Sequence, residues 1–221
     1  MATWMVHLRI AENLLKNYDL HETEFLAGNI GPDSGIPNKN WTSYNPPKKV
    51  THWFIETNGL IPQIDAESFY EKYLKDQLQM IEEKKLSFLL GYYVHLLTDI
   101  EWSIMHKSKQ DNNPEYNERI INDKNFIWEV KQDWYGLDFE YICQNEDNIF
   151  NSKFTGIKDM INYVDYFPED AFNIQIKYIQ DFYKNKSAEF IPTGRYLTTL
   201  EMDRFVEATS HFINDKLKKL L

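Results

Sequence analysis

The stretch Leu86-Ser-Phe-Leu-Leu-Gly-Tyr-Tyr-Val-His-Leu-Leu-Thr-Asp-Ile-Glu-Trp-Ser-Ile104 decides the fold. At about 100° per residue, with His95 taken as zero, Asp99 falls near 40°, Tyr92 near 60°, Phe88 near 20° and Trp102 near −20°. Leu86, Leu89, Leu90, Tyr93, Val94, Leu96, Leu97 and Ile100 fill nearly every other direction. A helix that is apolar on most sides is a central one, covered by its neighbours. His95 and Asp99 are therefore expected to be buried, one turn apart on one face. A buried carboxylate costs several kcal/mol unless something compensates it. Asp99 has three ways to meet that cost: a hydrogen-bonded pairing with His95 or an arginine, protonation, or a metal ion.

Outward from this helix the pattern stays helical. Leu8, Ala11, Leu14 and Leu15 share a face over residues 4–16, and His7 lies on that face. From Asn17 to about Gln63 periodicity fades and turn signals gather: Gly28, Gly31-Pro32-Asp33, Gly35, Pro37, Asn45-Pro46-Pro47, Asn58-Gly59 and Pro62. Long ordered loops of this kind usually carry function. Further helices are expected over 65–83, 84–106, 115–134 and, interrupted near Pro168, 156–184. A last one starts at Thr198, where Thr198-x-x-Glu201 fits a capping box. There is no convincing sheet, repeat or low-complexity tract. The expectation is an all-α, single-domain, multi-helix bundle spanning residues 1–221.

Composition narrows the class. The 14 Tyr, 14 Phe and 6 Trp among 221 residues speak for a packed core, and a net charge of −10 speaks against a basic nucleic-acid-binding surface. One cysteine, Cys143, excludes an intrachain disulfide. No segment approaches the roughly 20 apolar residues of a membrane span, and the opening residues lack a secretory pattern. A cytoplasmic protein is expected.

Three more groups have the right chemistry to join His95 and Asp99: His7, Asp33 after Gly31-Pro32, and His52. Taken singly, each has an ordinary explanation. His7 fits as a satisfied core histidine, Asp33 as a turn residue bonding its own backbone, and His52 as a half-exposed loop residue. Taken together, imidazoles and carboxylates in this number suit zinc, with manganese or iron as alternatives.

The ordered set His7, Gly28-Asn-Ile-Gly-Pro-Asp33, Thr51-His52 and Gly91-Tyr-Tyr-Val-His-Leu-Leu-Thr-Asp99 resembles the zinc-dependent phospholipase C family. That family groups with single-strand nucleases in an all-α superfamily of zinc phosphodiesterases. The resemblance covers about the first 105 residues. It implies a phosphoric ester hydrolase in which Asp33, His52, His95 and Asp99 surround one zinc, Asp99 bridges to a second zinc shared with His7, and Asp33 orients or deprotonates the attacking water. The substrate implied is a small phosphodiester or phosphomonoester, with nucleic acid and phospholipid left open.

The sequence departs from the family at two places. The secreted members begin with a metal-binding tryptophan, whereas here Trp4 stands inside the chain. Their third zinc uses a later His-x-x-x-Glu, whereas here only His106 and His211 follow. One or two metal ions are therefore expected, with His106 and His211 structural and His21 a solvated loop residue. Trp41, Tyr44, Trp53, Tyr92 and Trp102 fit either a substrate pocket or the core. Two other classes compete. An HD-type phosphohydrolase needs an adjacent His-Asp pair, which none of the six histidines offers. A non-enzymatic or degenerate helical metal-binding module would be metal-loaded but inert.

Overall fold

Helix α5, Glu83–Asn112, runs through the middle of the molecule with residues 87–99 all buried. The computed structural model describes residues 1–55, 63–75, 78 and 80–221. Among them ten helices form the body: α1 Trp4–Leu15, α2 Glu22–Ile30, α3 Lys48–Thr51, α4 Ala66–Tyr73, α5, α6 Pro114–Asn122, α7 Phe126–Gln144, α8 Ile149–Ser152, α9 Ala171–Asn185 and α10 Thr199–Leu217. Two antiparallel ribbons of two residues per strand, Ile36–Pro37 with Tyr44–Asn45 and Phe54–Ile55 with Gln63–Ile64, are the only strands among the described residues. The fold is all-α.

Helix α2 lies within the stretch expected to be irregular. Phe25 to Ile30 are buried without exception, so the segment shows no polar face and its periodicity is silent. It packs directly along α5 through paired glycines. A Cβ on Gly28 would sit 2.0 Å from the Phe88 carbonyl oxygen, and one on Gly91 would sit 2.1 Å from that of Phe25. Only hydrogen fits at either position, so the two backbones meet without intervening side chains.

Other boundaries shift for local reasons. Helix α4 starts as expected, with the Asp65 carboxylate accepting from Ser68 N–H, but ends at Tyr73; residues 76, 77 and 79 of the expected helix lie outside the described residues. Helix α5 continues past His106 to Asn112. Asn113, held extended before Pro114, then caps α6 by accepting from Tyr116 N–H. The expected 115–134 helix is divided at Asp123, whose side chain accepts from Asn125 N–H, and its second part runs on to Gln144. Between Ile157 and Asp170 side-chain amides replace the helical ladder. Asn173 bonds Met160 N–H and Asn162 bonds Val164 N–H, leaving α9 to begin only at Ala171. The capping box at Thr198 and Glu201 is present.

Candidate metal centre

Four segments converge at the middle of α5. Helix α1, started by Thr3 accepting from Val6 N–H, carries His7. The 3-10 turn Gly31–Asp33 ends α2 and presents Asp33. His52 terminates α3, and the residue before it is fixed because Tyr92 OH of α5 donates to the Thr51 carbonyl at 2.6 Å. Trp53 then takes a left-handed φ of 53°, uncommon outside glycine, which turns the chain away. His95 and Asp99 come from α5 itself.

The five side chains face one another. His7 Nε2 lies 3.5 Å from Asp99 Oδ1, His95 Nε2 lies 3.3 Å from Asp99 Oδ2, and His52 Nε2 lies 3.7 Å from that same oxygen and 3.5 Å from Asp33 Oδ1. The His7 and His95 rings stack 3.8 Å apart, within 2° of parallel. Two sets have ligand atoms all within 4.8 Å of one another: His7, His95 and Asp99, and Asp33, His52 and His95. Asp99 turns one oxygen to His7 and the other to His52 and His95.

Hydrogen bonding tests whether these groups fit a cation. His95 Nδ1 lies 2.8 Å from the Asn29 carbonyl oxygen. A carbonyl only accepts, so Nδ1 carries the hydrogen and neutral His95 offers a bare lone pair at Nε2. That lone pair faces a carboxylate. Both nitrogens of His7, Nε2 of His52 and of His95, and Oδ2 of Asp99 are buried without a hydrogen-bond partner. Orphaned polar atoms are costly, and these five sit together in one small cluster. Donors about 2.1 Å from a tetrahedral zinc lie roughly 3.4 Å apart, close to the separations found. The residues fit the metal.

Protonation points the same way. Burial, reinforced by neighbouring His95, lowers His7 to about 4. Burial likewise lowers His52. Burial would raise Asp33 and Asp99, but the imidazoles around them, together with Lys48 for Asp33 and the chain's amino terminus for Asp99, hold both below the ordinary carboxylate range. Burial opposes charge on His95, yet Asp99 beside it raises its pKa above the usual value. Burial thus favours the neutral form of His7 and His52, while the ionised carboxylates make His95 the imidazole that holds a proton most readily when no other cation is present.

A family profile described as zinc dependent phospholipase C matches residues 6–182. The chain belongs to the zinc-dependent phospholipase C family. No curated protein and no solved structure matched it. The all-α architecture agrees with that of the family, and no helix among the described residues is long and apolar enough to cross a membrane.

Other residues singled out in the sequence lie elsewhere. His106 sits between the Trp102 and Trp134 rings, at 4.9 and 4.5 Å, with neither nitrogen hydrogen-bonded and no ion pair among the described residues. His211 is exposed on α10. His21 is solvated, 3.4 Å from Glu83, and stands at the start of α2. Tyr92 and Trp102 belong to the core. The cleft before Asp33, about 300 Å³, is walled instead by Trp4, Trp134 and Tyr135, with Lys48 and Lys131 at its sides. Trp4 donates its indole N–H to Asp33 Oδ2 at 2.9 Å. Sequence reasoning missed Lys131, Trp134 and Tyr135 because α7 enters the site from far along the chain, and its apolar pattern alone does not say which face meets the cleft.

Behind α1, buried Asp138 accepts from Thr3 Oγ1 and from Tyr183 OH, at 2.8 and 2.7 Å. Tyr183 OH in turn accepts from Met5 N–H. These bonds fix the start of α1, and with it Trp4 and His7.

Proposed function

We propose that this chain is a metal-dependent phosphoric ester hydrolase that holds one or two zinc ions through His7, Asp33, His52, His95 and Asp99. The observation that carries this is the concentration of unpartnered imidazole nitrogens around the buried Asp99 carboxylate, in a chain of this family. Bound there, zinc supplies positive charge for the phosphoryl oxygens and makes a water easier to deprotonate.

The protein's own groups do the rest. His95 is held in one tautomer and orientation by the Asn29 carbonyl, the kind of outer contact that tunes a ligand. Asp99 offers its two oxygens to different imidazoles and so suits a bridging position. Asp33 stands where the cluster meets the cleft, one oxygen fixed by Trp4 and the other near His52 and Lys48. Its depressed pKa makes it a poor proton store, so its role is to orient the attacking water in line with the scissile bond. The aromatic walls exclude solvent from the organic half of the substrate.

Metal analysis of protein purified without added metal tests this first; at least about one equivalent of zinc, manganese or iron is expected from a site of this kind. The metal-loaded protein should hydrolyse bis-(p-nitrophenyl) phosphate, and Asp99→Asn should lose both metal and turnover. A metal-free wild-type protein, or an Asp99→Asn variant with full activity, would sink the proposal.

A further inference from the structure

We propose that the cleft before Asp33 selects phosphate esters whose organic half carries a further negative charge, and that Lys48 and Lys131 read that charge. This rests on the phosphoesterase reading above.

The two lysines come from unrelated elements, the first residue of α3 and the second turn of α7, and both line the one cleft. Among the described residues lining it, Asp33 is the only carboxylate. Asp33 is already engaged by the Trp4 indole at 2.9 Å and by Lys48 at 3.9 Å. Among the described residues Lys131 makes no ion pair; its ammonium lies over the Trp128 ring, 4.8 Å from the centroid. A half-buried ammonium without an ion-pair partner is costly to keep, and an anionic ligand would remove that cost. Burial and the charge of Lys48 both pull the Lys131 pKa down, which is the same deficit seen from the proton's side.

The rest of the molecule makes the pair more significant. A chain of net charge −10 repels anions at long range, so two lysines lining one cleft stand against the overall charge. A quaternary ammonium headgroup would meet two like charges in this cleft, where the one carboxylate among the described lining residues, Asp33, is already engaged by Lys48 and Trp4. Like-charge juxtaposition of that kind disfavours binding. An anionic group would meet two donors, while Trp4, Trp134 and Tyr135 offer flat walls to whatever links it to the phosphate.

Three p-nitrophenyl phosphodiesters test this, sharing one scissile bond: those of choline, ethylene glycol and glycolate, with a cationic, neutral and anionic organic half. On the full-length, zinc-loaded protein, kcat/KM should rise from choline to glycolate by roughly tenfold or more. The K48Q/K131Q double variant should flatten that gradient, and Lys131→Glu should tilt it toward choline. A wild-type preference for choline, or a gradient that persists in the double variant, overturns the proposal. If none of the three is hydrolysed, the phosphoesterase reading fails. Calorimetric titration of the same diesters then decides the charge preference alone. A gradient in Kd that the double variant loses supports it, and equal affinities or no binding overturn it.

Discussion

Asp99 and Asp133 are both fully buried in the middle of long helices, and the protein treats them in opposite ways. Asp133 Oδ1 accepts from the backbone N–H groups of Thr193 and Gly194 and from the Thr193 hydroxyl. Its Oδ2 accepts from Tyr196 and Leu197 N–H. Burial would raise its pKa, but these donors outweigh it and keep the carboxyl below its ordinary value. Asp99 receives one backbone N–H, from Ala2 at 2.7 Å, and otherwise faces imidazole nitrogens. A carboxylate closed in by N–H groups staples a loop. One ringed by imidazole nitrogens has the arrangement expected of a candidate cation site.

The largest expected effect separates the two by removing that cation. A metal present at a thousand times its Kd adds about 4 kcal/mol to the folded state, so chelation should lower the melting temperature of the wild-type protein sharply. In Asp99→Asn chelation should change nothing, because no metal remains to remove. Wild-type melting that is indifferent to a strong chelator would place Asp99 in the same class as Asp133 and erase the contrast.

Asp133→Ala attacks the other side. It strips five donors of their acceptor, and at about 1–3 kcal/mol for each donor that water does not reach, a loss of about 3 kcal/mol is expected in chemical denaturation. Metal content per folded chain should stay as in wild type. A variant that unfolds no more easily would show that the donors do not depend on Asp133, and one that loses metal while folded would show that the two carboxylates are not independent.

How far each carboxylate was legible in the sequence follows from where its partners lie. Asp99 was foreseeable because His95 is one helical turn away and an apolar surround forces the question of charge. His7, Asp33 and His52 emerged from residue type and order. Asp133 was not foreseeable: its partners are backbone N–H groups of residues 193–197, and backbone donors leave no trace in residue identity. The same blindness hid α2, whose all-round burial against α5 erases the amphipathic signal. It also hid the cleft walls of α7, which depend on how distant helices stack. Capping, by contrast, is local chemistry, and Thr198 with Glu201 was readable as written.

Asp138 offers a third case, between the other two, and the smallest expected effect. It has two hydroxyl donors, Thr3 and Tyr183, too few to offset complete burial, so burial raises its pKa to about 7 despite them. Between its ordinary value of 3.8 and about 7 the folded protein holds a proton that the unfolded chain releases. Stability from this group is therefore fully present below the unfolded value and declines as pH rises through the folded one. The decline should amount to roughly 2 kcal/mol between pH 5 and pH 7. Asp138→Asn cannot ionise and should remove that slope, so urea denaturation at several pH values should show wild type and variant converging toward acid and diverging toward neutrality, with the variant the more stable at pH 7. Parallel pH profiles would mean that Asp138 stays charged on folding and belongs with Asp133. A slope that disappears would mean that hydroxyl donors, unlike a cage of backbone N–H groups or a metal, leave a buried carboxylate protonated.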